Sequence, residues 1–242
     1  MYAIETQHLT KEYPKITAVN DLSLKIREGE LFSLLGVNGA GKTTTIKMLT
    51  CLTQPTKGDG TVGGYSITKE PWQVKRLIGV CPQENAIAPN LSVAENLELL
   101  CGIYGYTKKE TQERIQALSR QFSLDGVLGR KAGKLSGGFQ RRTSIAMALI
   151  TNPQILFLDE PTLGLDVIAR HELWDTIRAL KGKVTIVLTT HYMEEAETLS
   201  DRICIMAGGG LLAVGTAAEI KAMAKATDFE TAFVSMVREG RI

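Results

Sequence analysis

The feature that most constrains this chain is GVNGAGKT at residues 36–43, which fits the pattern G-x-x-x-x-G-K-S/T. It stands between a short apolar run, residues 31–35, and a stretch over residues 42–52 that reads as a helix. A strand that feeds such a loop and then a helix makes a cradle for phosphate. Gly36, Gly39 and Gly41 let backbone N–H groups turn inward around phosphate oxygens, and the helix N-terminus adds its partial positive charge. Val37, Asn38 and Ala40 complete the loop. Lys42 is placed to reach the terminal phosphates of a nucleotide, Thr43 to offer a hydroxyl to magnesium, and Thr44 to add a phosphate contact.

Two further motifs extend this chemistry. ILFLDE at residues 155–160 is an apolar run that ends in two acids, and adjacent carboxylates are costly unless each has a cation or a proton to handle. Asp159 suits a magnesium shell through water, and Glu160 suits a general base or polariser of an attacking water. LSGGFQ at residues 135–140 sets Ser136, Gly137 and Gly138 just before a helix expected from about residue 139 to 150, a second helix N-terminus suited to anions.

Residues 4–9 and 22–26 alternate apolar with polar side chains, which predicts half-buried strands with turns at Asn20, Asp21 and Gly29. Residues 61–80 read as strand-like pieces broken by Gly63, Gly64, Glu70 and Pro71. From residue 91 to about 150 the signals are helical, with Ser92 as an N-cap followed by Glu95, and a Lys-, Glu- and Gln-rich stretch over 107–120. Residues 155–158 and 184–188 are continuous apolar runs of the kind buried on both faces of a parallel sheet, separated by a helix over about 167–180. A late hairpin is expected from residues 202–206 and 211–214, then helix to the end. The fold class that follows is α/β, with a mainly parallel sheet flanked by helices, an N-terminal antiparallel β part and an inserted helical part.

Composition narrows the partners. With 28 Lys and Arg against 26 Asp and Glu, the net charge of +2 gives no reason to expect nucleic acid. No apolar run approaches the roughly 20 residues of a membrane-spanning helix, and the opening residues lack signal-peptide character. The four cysteines contain no CxxC pair and the chain has only three histidines, so reduced, mostly buried thiols are expected rather than zinc or redox chemistry.

Phosphate loop, LSGGFQ and ILFLDE, in this order and spacing, resemble the nucleotide-binding subunit of an ATP-binding cassette (ABC) transporter over nearly the whole chain. The resemblance implies a P-loop NTPase core and one cassette domain over residues 1–242, with core parts 1–86 and 152–242 and a helical subdomain over about 87–151. It implies ATP and Mg2+ as cofactors, and a second cassette, identical or a paralogue, whose Ser136, Gly137 and Gly138 close head to tail over the nucleotide. Tyr13, in KEYP, matches the aromatic that stacks on adenine. Gln83, in CPQE, matches the glutamine that links magnesium and water to a transmembrane permease subunit. His191 matches the γ-phosphate histidine that orients the catalytic acid, and Asp166, in LGLD, matches the loop between the two sites. His8 and His171 match nothing, and Cys51 stands where a glycine is usual. KTTTIKML and THYMEEAE most resemble the multidrug, antibiotic and polysaccharide exporter branch, on the cytoplasmic face of the membrane. An importer cassette, or a soluble cassette ATPase acting on ribosomes or nucleic acid, is the alternative.

Overall fold

In the computed structural model, which describes residues 1–240, the chain opens with strands β1 (Tyr2–Tyr13), β2 (Ile16–Leu22), β3 (Lys25–Arg27) and β4 (Leu31–Leu35). Helix α1 (Lys42–Leu49) follows, then β5 (Lys57–Val62), β6 (Tyr65–Ser66), α2 (Pro71–Leu77) and β7 (Ile78–Cys81). Helices α3 (Val93–Ile103), α4 (Lys108–Gln121) and α5 (Gly137–Leu149) lead to β8 (Ile155–Asp159), α6 (Val167–Arg178) and β9 (Thr185–Thr190). The chain continues through α7 (Met193–Leu199), β10 (Arg202–Ala207), β11 (Gly210–Gly215), α8 (Ala217–Met223) and α9 (Phe229–Glu239). The expected end of the domain at residues 241 and 242 lies outside the described residues.

Every residue of β4, β8 and β9 is buried, as their unbroken apolar runs require of strands covered on both faces. They lie side by side in a six-stranded sheet of order β11-β10-β4-β9-β8-β7, in which all neighbours are parallel except the hairpin β10–β11. The N-terminal strands form a second, antiparallel sheet of order β2-β1-β5-β6, with β3 also paired to β1. Its apolar face, with Ile4, Ile26 and Val62, packs with Phe32, Phe157 and Val187 of the parallel sheet and with Ile46 and Met48 of α1. On the other face, Leu156, Leu158 and Ile186 join side chains of α3, α4, α5 and α6 in one core. Each large apolar side chain buried this way contributes on the order of 1.5–3 kcal/mol.

Between β7 and β8 the regular elements among the described residues are helical. Ser92 and Thr107 cap α3 and α4 with reciprocal bonds to Glu95 and Glu110, the capping box that the Ser92–Glu95 spacing predicts. The four cysteines are free, and burial pushes the Cys204 thiol up to about 12.

Several local expectations are corrected. Residues 71–77, read as strand-like, form α2: Pro71 takes the first helical position and only Val74 is buried, so no apolar period marks the helix. Asn20 and Asp21 lie within β2, where Asp21 takes a φ of 51° beside a register shift against β1. The first helix ends at Leu49, and Cys51 adopts the left-handed φ of 56° that explains why a glycine is usual there. Helix α6 stops at Arg178 rather than near residue 180. Helix α5 begins at Gly137, so both glycines of LSGGFQ are in its first turn rather than ahead of it.

The closest approach in the core is where α5 crosses β7. A Cβ on Gly79 would stand 2.1 Å from the carbonyl oxygen of Ala148, and neither backbone can yield without moving its element. Gly79→Ala is therefore expected to destabilise the protein by at least about 1–3 kcal/mol, read as a lower midpoint in thermal or urea unfolding, while alanine at the open Gly126 leaves that midpoint within experimental error.

Candidate active site

The register of the parallel sheet assembles the site. Pairing of β4 with β9 and of β9 with β8 brings the loops after Leu35, Asp159 and Thr190 to one edge, at the carboxyl ends of adjacent strands. This is where ligands of open α/β sheets collect.

The loop between β4 and α1 has little room for side chains. A Cβ on Gly36 would meet the carbonyl oxygen of Met206 at 2.4 Å, and one on Gly41, whose φ is 99°, would meet that of Ala18 at 2.4 Å. Gly41 is the N-cap of α1 and supplies no side-chain bond, and the first turn carries no acid. The N–H groups and partial positive charge of this helix end are thus left for a ligand. The loop faces an open cavity of about 560 Å³, lined by Asn38, Gly39, Ala40, Gly41, Lys42, Thr43 and Thr44 and, from other parts of the chain, by Tyr13, Gln83, Glu160 and His191. Gly36 and Val37 sit behind this lining, where their carbonyl oxygens accept from Lys42 Nζ at 2.7 and 3.4 Å.

The two acids find separate partners. Asp159 accepts from Thr43 Oγ1 at 3.1 Å and from the hydroxyl of Thr189. Glu160 is buried between two groups: Lys42 Nζ lies 3.3 Å from its Oε1, and His191 Nδ1 is 2.6 Å from its Oε2. Its backbone is in the left-handed region, with a φ of 49°, immediately before Pro161. Proline disfavours helical conformations at the residue before it, so the backbone that aims this carboxylate is strained. The strain is held by the Glu160 N–H, which donates to the Oγ1 and the carbonyl oxygen of Thr189 at 3.0 and 3.1 Å.

Tyr13 and Gln83 are exposed at the cavity. Lys11 Nζ stands 5.2 Å from the centroid of the Tyr13 ring. Ser136, Gly137 and Gly138 do not line the cavity; Ser136 and Gly137 are exposed, and Ser136 makes no side-chain cap bond to α5. Asp166 caps α6 by accepting from the Ala169 N–H at 2.9 Å. His8 pairs with Asp21 on the surface and His171 meets the Trp174 ring edge on, both away from the cavity lining.

Two residues of the site escape the motif reading. Thr189 bonds both acids, one through its side chain and the other through side chain and backbone. Arg141 is 4% exposed and donates to the carbonyl oxygens of Asp159, Pro161 and Pro82 at 2.8, 2.8 and 2.6 Å, and to that of Gln83 at 3.3 Å. A buried guanidinium is tolerable when its fork of donors is filled, and here it ties α5 to the segments carrying Gln83 and both acids. The available signal was a charged residue one turn inside a helix whose following positions are buried.

The donors around Asp159 suit a hard divalent cation. Thr43 and Asp159 offer adjacent oxygens, and among the described residues no group of three or more His, Cys, Asp or Glu could hold a metal unaided. That is the donor set of a magnesium ion completed by water and phosphate oxygens, and the residues present fit it.

The model of the ABC transporter family matches residues 19–163, more than half of the chain. A doxorubicin resistance ATP-binding protein, DrrA, of Mycobacterium tuberculosis is 44% identical over 208 residues, covering 86% of this chain and 63% of that protein. The human phospholipid-transporting ATPase ABCA3 is 40% identical over 222 residues, covering 90% of this chain but 13% of its own length. The chain thus spans less than two thirds of either relative. A solved dimeric ATP-binding cassette in a post-hydrolysis state, bound to ADP and Pi, superposes with a TM-score of 0.79 at 29% identity, covering 88% of this chain and 98% of that one. On this sheet, this phosphate loop and these relatives, the chain belongs to the ABC transporter family.

Proposed function

We propose that the chain binds ATP in the cavity at the phosphate loop, hydrolyses it to ADP and phosphate, and so powers a transporter, an exporter by its relatives. The observation that carries this reading is Glu160, buried and gripped by Lys42 and His191 beside the loop. Water attacks the γ-phosphorus, the bond to the bridging oxygen breaks, and ADP leaves. Glu160 takes or polarises the proton of that water, His191 holds the carboxylate in line and contacts the γ-phosphate, and Lys42 with the α1 N-terminus offsets phosphate charge. Tyr13 stacks on the base. Thr43, with Asp159 and Gln83 partly through water, would hold Mg2+, which supplies charge neutralisation on the phosphates when bound. The domain reading stays as above: one cassette, with residues 87–151 as its helical part.

The partners are a second cassette and a membrane permease. In a head-to-tail pair, Ser136, Gly137 and Gly138 of one subunit close over the nucleotide of the other, and Asp166 communicates between the sites. The uncapped α5 N-terminus and its distance from the lining of its own cavity support this reading. Among the described residues no helix is long and apolar enough to cross a membrane. A mainly apolar groove of about 460 Å³, with Leu52, Val80, Leu100 and Tyr104 in its wall, lies beside the segment after Gln83 and is the surface offered to it. The subunit then sits peripherally on the cytoplasmic face of the membrane, and nucleic acid is not a partner.

Three substitutions test this. Lys42→Ala removes the charge facing the γ-phosphate and is expected to lower hydrolysis by about 10²–10³-fold in a phosphate-release assay; unchanged turnover removes the assignment of the loop. Glu160→Gln is expected to retain ATP binding, lose hydrolysis by about 10²–10⁴-fold and accumulate as an ATP-dependent dimer in size-exclusion chromatography. Ser136→Arg is expected to block closure, yet mixing it with Lys42→Ala subunits leaves one intact composite site per mixed dimer and returns part of the hydrolysis. Absence of any recovery on mixing argues against shared sites.

A further inference from the structure

His191 is one residue past the end of β9 and two residues before α7, so no regular element fixes its side chain, which is 30% exposed. The bond to Glu160 holds one edge of the imidazole. The rest of its restraint comes from Tyr192, whose ring centroid is 4.1 Å away at an interplanar angle of 39°. The Arg170 guanidinium, in turn, stands 4.7 Å from the centroid of the Tyr192 ring. Its Nε is buried and has no hydrogen-bond partner among the described residues, and the face of the Tyr192 ring is what the cation meets there.

We infer that Tyr192, backed by Arg170, is a positioning residue for His191, through which α6 sets the orientation of the imidazole against Glu160. The inference rests on the ATPase reading of the site and adds to it a route from the LGLD loop. Asp166 caps α6 with its side chain, and its carbonyl oxygen accepts from the Arg170 N–H at 3.0 Å, which places Arg170 one turn from the loop. On the other side, the Tyr192 N–H donates to Thr190 Oγ1 at 2.9 Å, which ties the ring's backbone to the end of β9. A second link joins α6 to this part of the chain: Trp174 Nε1, on α6, donates at 3.0 Å to Oε1 of the fully buried Glu195 on α7. The segment carrying His191 is thus held by α6 at two points, and the Arg170–Tyr192 contact is the one whose ring packs on the imidazole.

The test uses the full chain with ATP and Mg2+. Tyr192→Leu and Arg170→Met are each expected to lower kcat about tenfold or more with KM changed less than about twofold, and Tyr192→Phe, which keeps the ring, to recover most of the loss. Because the effect runs through the imidazole, Tyr192→Leu is expected to cost nothing further in a His191→Ala background. An equal loss in that background shows a general structural role and overturns the inference. A readout independent of turnover is the ring resonances of the three histidines in 13C-histidine-labelled protein. Those of His191 are expected to shift in both Tyr192→Leu and Arg170→Met while those of His8 stay, and unmoved His191 resonances in Arg170→Met sink the proposed coupling. Should the wild-type chain fail to hydrolyse ATP, the ATPase reading falls, and the resonances alone decide whether α6 orients the imidazole.

Discussion

Two carboxylates in succession at the end of a strand buried on both faces pose an electrostatic problem that the rest of the site is arranged to solve. Asp159 is satisfied by two hydroxyls and Glu160 by an ammonium and an imidazole, Thr43 and Lys42 arriving from the loop and helix start after β4 and Thr189 and His191 from the end of β9 and the loop after it. Those loops meet because the strands that feed them are neighbours in the parallel sheet. The sheet order is therefore as much a part of the site as the side chains: another arrangement would leave at least one buried acid without a partner.

The reaction proposed has a second requirement, that the carboxylate of Glu160 be held in one direction. Its left-handed backbone before proline is an unfavourable conformation, and the bonds from its N–H to Thr189 keep it there. Arg141 closes the structure from behind by filling its donors with carbonyl oxygens of the strand end and of the segment leading to Gln83. None of these supporting groups titrates in the reaction proposed; their contribution is to make reorganisation small when charge develops.

Much of this was legible in the order of residues. Lys42, Thr43, Asp159 and Glu160 are announced by loops and strands whose apolar runs permit few other folds, and the Ser92–Glu95 and 31–35 signals appear in the structure where the pattern puts them. What escaped reading depends on long-range geometry. Arg141 looks like any charge on a helix until two separate backbone segments, at residues 82–83 and 159–161, converge on it. Helix α2 shows no period because only one of its residues is buried. The bulge at Asp21 arises from a register shift between two strands, which neither strand encodes alone.

Helix α5 carries two of these functions on one short rod. Its first turn begins at the exposed Gly137, and four residues later Arg141 grips the backbone on either side of Glu160. The helix is unbroken between the two, so the outer tip is joined through one turn of backbone to the bonds that Arg141 makes with Pro82 and Asp159. The stiffness of a single turn of helix is then the transmission, and any residue that softened that turn would let the tip move while the chemistry stood still.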